Sequence, residues 1–149
     1  MRSQLIGVLG VMPLILWLSG CGPVLMLPGG ELEGELMSPP MDWSFSNATS
    51  TIQLETRPGD PYSVNLWAVG LGPVLYVHAG ANRSTWVEHL EAHSELRVRV
   101  DEKIYELRGT RVEDQDEFTL VADAWEGKYD IRFRNENVAE AYVFRLEMR

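Results

Sequence analysis

Apolar and polar residues alternate in short runs along this chain, and two stretches open into the wider helical spacing. Ile52 and Leu54 face one way in residues 51–56, and Val64, Leu66 and Ala68 do so in residues 62–69. Residues 75–78, LYVH, form a third β-rich run. Leu96, Val98 and Val100 alternate with Arg97 and Arg99, and Tyr105 and Leu107 mark one face of residues 103–112. Tyr142, Phe144, Leu146 and Met148 close the chain in strict alternation. A period of two is that of a half-buried strand, so the pattern predicts about six strands. Trp86, Leu90 and His93 recur at helical spacing, and so do Phe118, Val121, Ala122 and Trp125. Each set predicts a short helix packed by one face.

The breaks between runs are chemically distinct. Arg57-Pro58-Gly59-Asp60-Pro61 is a turn cluster, and Gly70, Gly72 and Pro73 end the second run. Asp101 and Glu102 sit between two alternating runs, the position of a hairpin turn. Thr85 stands three residues before Glu88, the spacing of a capping box. Acidic residues 113–117 suit the N-terminus of the second helix, and Gly127 is its expected end. Short turns join most strands, and the long crossovers carry the helices. That combination predicts a mainly β barrel, antiparallel or mixed, with helices outside it.

The N-terminal segment changes the picture. Residues 1–20 carry Arg2, an apolar run from Leu5 to Leu18, and then Ser19-Gly20-Cys21. The run is short for a membrane-spanning helix and suits a signal peptide. It resembles a bacterial lipoprotein signal with its lipobox. The resemblance implies cleavage before Cys21, acylation of that cysteine with fatty acids such as palmitate, and attachment to the cell envelope. Gly22, rather than an aspartate, follows the cysteine, which by the same analogy favours the periplasmic side of an outer membrane. Cys21 is the single cysteine, so no intramolecular disulfide can form. Prolines and glycines interrupt residues 22–40, so 21–41 is expected to be a lipidated tether. The folded domain is expected over 42–149, with Trp43 and Phe45 at its start in a short strand or extended arm.

Charge narrows the partners. The chain carries 22 acidic and 13 basic residues, a formal charge of −9. Nucleic acid needs clustered Lys and Arg, so it is excluded as a partner. Anionic lipid heads would repel the surface, leaving the acyl chains as the hold on the membrane.

Residues 75–100 hold the candidate chemistry. Backbone N–H groups at a helix start attract anions, and Arg83 stands just before one. His89 and His93, four apart, could meet one metal ion given a third ligand such as His78 or Glu88, but a helix face with one histidine tucked against the barrel explains them more simply. No Gly-x-Ser-x-Gly nucleophile elbow occurs. Trp67, Trp86 and Trp125 could stack a flavin or simply fill the core.

Residues 86–98, WVEHLEAHSELRV, resemble the helix–strand signature of the split β-barrel flavin-binding superfamily, above all its deazaflavin-dependent nitroreductase branch. Residues 61–67 resemble that family's second strand, 103–109 the following hairpin, 124–129 its late helix and 143–146 its last strand. The resemblance implies a six-stranded split β-barrel, usually a homodimer. It implies FMN or deazaflavin held near Asn65, Trp67, His78, Ala79, Gly80, Asn82, Arg83, Ser84 and Thr85, with Arg83 and the hydroxyls gripping phosphate. The implied activity is reduction of a quinone or nitro compound. Asp60 stands in the hairpin where the family carries basic residues. The other expectation is therefore a non-catalytic envelope binding or assembly module built on the same barrel.

Overall fold

The computed structural model describes residues 27–80 and 83–149. The predicted leader, the lipidation site Cys21 and the loop residue Asn82 lie outside these. Eight strands form one curled sheet: β1 (Glu35–Met37), β2 (Ile52–Thr56), β3 (Tyr62–Leu66), β4 (Ala68–Leu71), β5 (Val74–His78), β6 (Glu95–Val100), β7 (Lys103–Arg111) and β8 (Val143–Met148). Helix α1 (Thr85–Ala92) joins β5 to β6, and α2 (Gln115–Tyr129) lies between β7 and β8. The strand order is β3-β2-β6-β7-β8-β5-β4, antiparallel throughout, with β1 added in parallel to β7.

Eight strands stand where the pattern predicts six, for two reasons. Alternation runs unbroken through Trp67, but the hydrogen-bonding partner changes there: β3 pairs with β2, and β4 with β5. Side-chain period reports which face a residue takes, not which strand it bonds. The two ends of the sheet are thus joined by chain continuity at Trp67, which makes a half-barrel. The second reason is β1, which is too short to show any period.

Inward residues of the strands, among them Leu54, Leu75, Val77, Leu96, Val98, Leu107 and Leu146, form one core with Trp86, Val87 and Leu90 of α1. A Cβ on Gly109 would come within 2.9 Å of a Leu96 methyl and 3.0 Å of a Leu90 methyl. The bare backbone there lets α1 settle onto β7.

The outer surface is clad twice. On β4, β5 and β8, Val69, Tyr76 and Val143 meet Phe118, Val121 and Trp125 of α2 in a second apolar core. Asp114 caps α2, its carboxylate accepting from Glu117 N–H at 2.8 Å. The helix runs past Gly127, its expected end, and stops at Asp130, whose φ is +55°. Two contacts of the last turn outweigh the roughly 1 kcal/mol that an internal glycine costs. Lys128 Nζ donates to Ala68 O at 2.6 Å, and the Tyr129 hydroxyl accepts from Ala68 N–H at 2.9 Å.

On β3, β2, β6 and β7 the cover is the chain before β1, part of the stretch expected to be a tether. Gly29 and Ser63 exchange backbone hydrogen bonds at 2.8 and 2.9 Å. Leu32 is buried, and its N–H donates to Glu55 Oε2 at 2.5 Å. The arm folds down because it can complete the shell of a carboxylate already fixed on the sheet. A further difference lies at Trp43 and Phe45, where a 3₁₀ turn (Ser44–Ala48) replaces the expected strand or arm. Asn47 in that turn bonds both backbone groups of Gly70, at 2.9 and 2.8 Å, and so covers the free edge of β4.

Candidate functional site

Trp67 and His78 come together. Ala68 is paired with Val77, which sets these two opposite each other one step beyond the β4–β5 ladder, both facing outward. His78 lies among rings, 4.0 Å from Phe133 and 5.7 Å from Trp125 between centroids. Burial alone pushes its imidazole down to about 4, so it is neutral at neutral pH. Trp67 stacks on Tyr129 at 4.6 Å and 10°, and stays 41% exposed. The exposed part of its ring is the aromatic surface a flat ligand could meet.

Beyond β5 the chain turns at Gly80, whose φ of +76° a residue with a Cβ would adopt only under strain. Arg83, Ser84 and Thr85 then enter α1. Ser84 is the cap residue, but its side chain makes no capping bond. Thr85 is already helical, so the expected capping box with Glu88 does not form: Val87 and Glu88 N–H both donate to Ser84 O, at 2.9 and 3.2 Å. The Ser84 hydroxyl is therefore not spent on the helix.

Arg83 does not reach over the helix start. Its guanidinium is ion-paired to Glu91, in the last turn of α1. The other oxygen of Glu91 lies 3.9 Å from Arg111. Arg111 also donates to the carbonyls of Ala139 and Ala141, at 3.3 and 2.9 Å, and sits 4.6 Å from the Tyr142 ring centre. It borders a hollow of about 320 Å³ with Val112, Glu113, Val138 and Ala139. Two guanidinium groups thus bracket one carboxylate, where the sequence predicts a positive hollow. Arg111 was not among the predicted residues. Its position at the end of an alternating run gave no sign that β7 would end beside α1.

Asn65 is placed elsewhere. It is the cross-strand neighbour of Gln53, which is itself paired with Arg99, near the β6–β7 turn. Lys103 and Arg111 mark opposite ends of β7, a separation of roughly 25 Å at strand rise. Asn65 lies toward the first end and Arg83 toward the second. His89 and His93 are also separated in their partners. His89 Nδ1 lies 2.8 Å from Thr56 Oγ1, and His93 Nε2 lies 3.4 Å from Glu95. No group of three or more His, Cys, Asp or Glu among the described residues is placed to hold a metal ion.

The residues offer a flavin-class ring the exposed part of Trp67, on the outer face of the sheet. They fit at a phosphate only where Glu91 yields its two arginines. Glu91 stands in the place an anionic group would take, and fits as its internal substitute.

A half-barrel of antiparallel strands, with one helix against the inner core and one on its outer face, is the split-barrel fold. No family model matches the sequence, and no curated protein matches it significantly. Solved structures do match. A candidate 5-nitroimidazole antibiotic resistance protein from Bacteroides thetaiotaomicron has the same fold at a TM-score of 0.54 and 15% identity, over 67% of this chain and 73% of that one. An FAD-binding protein from Mesorhizobium loti matches at a TM-score of 0.50 and 17% identity, over 70% and 84%. Identity this low establishes the fold and nothing finer.

Proposed function

We propose that this chain is a lipid-anchored envelope protein that binds a flavin or deazaflavin and serves a nitro- or quinone-reductase activity, as a homodimer. The observation that carries it is the bracketing of Glu91 by Arg83 and Arg111, at the same end of β5 as the exposed Trp67. The ligand's phosphate displaces Glu91, and the Ser84 hydroxyl adds a donor. Small residues at 79 and 80 let the backbone approach. When bound, the cofactor supplies the hydride; the protein binds and orients it. The split-barrel likeness to an FAD-binding protein supports this reading. The anchor is carried by the lipobox at Cys21 and places the domain at the periplasmic side of the outer membrane.

The test is titration of the full chain in detergent with FMN, then with deazaflavin, followed by flavin fluorescence. Saturable quenching is expected. No binding of either at high micromolar concentration overturns the reading. A second reading has its own observation: Glu91 already neutralises Arg83, the state of a barrel that has given up cofactor for a binding or assembly role. For the anchor, Cys21→Ser is expected to move the protein to the aqueous fraction, and unchanged fractionation contradicts it.

A further inference from the structure

The three methionines among the described residues, Met37, Met41 and Met148, come from the two ends of the domain and collect at one edge of β7. Strand β6 takes one edge of β7 along residues 103–108, so β1 and β8 share the other. Met37 is the partner of Tyr105, and Met148 is the partner of Leu107. Paired residues point to the same face, and so do residues two apart, so both methionines stand on the inner face with Tyr105 and Leu107. Their Cα atoms are about two residues apart along β7, roughly 7 Å at strand rise, within the reach of two long side chains. Both line one hollow of about 400 Å³, where the C-terminal ends of β1 and β8 meet.

A short loop brings Met41 to the same place. The chain leaves Met37 through Ser38, Pro39 and Pro40, and Trp43 returns onto Tyr105 with ring centres 5.0 Å apart. The loop thus begins and ends beside one tyrosine. Met37 is half-buried against the core, whereas Met41 is 79% exposed and Met148 58%. One thioether is held in place and two are free to move toward it.

The rest of the hollow narrows the choice of ligand. Glu106 and Arg149 are drawn to each other at 3.6 Å, Leu36 and Pro39 are apolar, and Ser38 brings a single hydroxyl. The donors left over are neutral sulfurs. Thioethers are soft ligands that select Cu(I), whereas carboxylates and carbonyls suit magnesium, calcium and manganese.

We propose that Met37, Met41 and Met148 form a binding site for a soft monovalent metal ion, Cu(I). Met37 is the fixed ligand, and Met41 and Met148 close on the ion from the solvent side. The site uses no residue of the α1 corner and is independent of any cofactor there. A thioether does not ionise near neutral pH, so the ion does not compete with protons as it does at a thiolate or an imidazole.

The experiment uses the full chain in detergent, carried as Cys21→Ser so that no thiol competes. Cu(I) is titrated anaerobically under ascorbate against a chromophoric chelator. In parallel, Ag(I), of the same charge and softness, is titrated while the methionine methyl groups, labelled with carbon-13, are followed by NMR. The resonances of Met37, Met41 and Met148, assigned by substitution, are expected to shift together and saturate at one equivalent of Ag(I). Met37→Leu and Met148→Leu keep the volume and lose the sulfur. Each is expected to weaken Cu(I) binding about tenfold or more while the unfolding midpoint stays nearly unchanged. Affinity is expected to hold level from about pH 8 to about pH 5, where an imidazole or thiolate site would lose it. Unmoved methyl resonances, Zn(II) bound as tightly as Cu(I), or unaltered affinity in the Met37→Leu, Met148→Leu double variant would overturn the proposal.

Discussion

The two outer faces of the half-barrel are closed by opposite chemistry. Helix α2 covers β4, β5 and β8 through Phe118, Val121 and Trp125, a nondirectional apolar contact. The N-terminal arm covers β3, β2 and β6 through a line of polar contacts: Gly29 to Ser63, Leu32 to Glu55, Glu55 to Arg97. The first kind of cover tolerates shifts of position. The second holds one register, because each donor and acceptor must meet its partner. The α2 face also includes a polar knot at its rim. There Tyr76 and Arg145 both donate to Glu117, at 2.9 and 2.5 Å. Burial, and then that carboxylate, push the Tyr76 hydroxyl up to about 12.

The contrast breaks most visibly at Trp125. Replacing it with alanine should remove about 3–5 kcal/mol, the range for a large buried aromatic. Urea unfolding reads this, and a loss below about 1 kcal/mol would mean that α2 is not held by its apolar face. On the other face, Glu55→Gln should cost about 3 kcal/mol, the low end for a broken buried pair, since Arg97 keeps some water. It should also open residues 29–37 to protease while α2 stays protected. Equal protease resistance in both forms would show that the arm does not depend on Glu55.

Acid separates the faces by a different route. The folded pKa of His78 is held near 4 by burial, below its unfolded value of 6.5. The unfolded chain then takes up the proton first. Stability is complete above about pH 6.5 and falls as pH drops toward 4, by about 3 kcal/mol at most. His78→Phe should flatten that part of the curve in pH-dependent denaturation, and an unchanged slope would assign the acid sensitivity elsewhere. The smallest effect concerns the exposed Arg83–Glu91 pair. Arg83→Ala should change stability by less than about 0.5 kcal/mol while weakening FMN binding about tenfold. Equal flavin affinity in that variant would show the phosphate contact to be misplaced.

These two faces also differ in how far the sequence discloses them. Phe118, Val121 and Trp125 carry a helical period, and their strand partners carry a period of two, so the α2 side is legible. The arm is not, because Pro28, Gly29, Gly30 and Gly34 erase any period. Its faint signals are Leu32, an apolar residue between Glu31 and Glu33, and Glu55, a charge on the polar side of a strand opposite Arg97. Both gain meaning only through the β2–β6 register. At the α1 corner, the order of His78, Gly80, Arg83, Ser84 and Thr85 along one turn was readable. The partner of Arg83 was not, since Glu91 reads as ordinary helix surface and Arg111 comes from a distant strand. Asn65 joins them only through the resemblance of residues 61–67 to the family's second strand, and the half-barrel carries it to the other end.

The most direct measurement is FMN affinity of the full chain with and without Glu91→Gln. A glutamine keeps the shape but frees both arginines for a phosphate. The account predicts binding about tenfold tighter or more than in the unaltered chain. Unchanged or weaker binding would contradict it, and would leave Glu91 as a structural ion-pair partner rather than the occupant of an anion site.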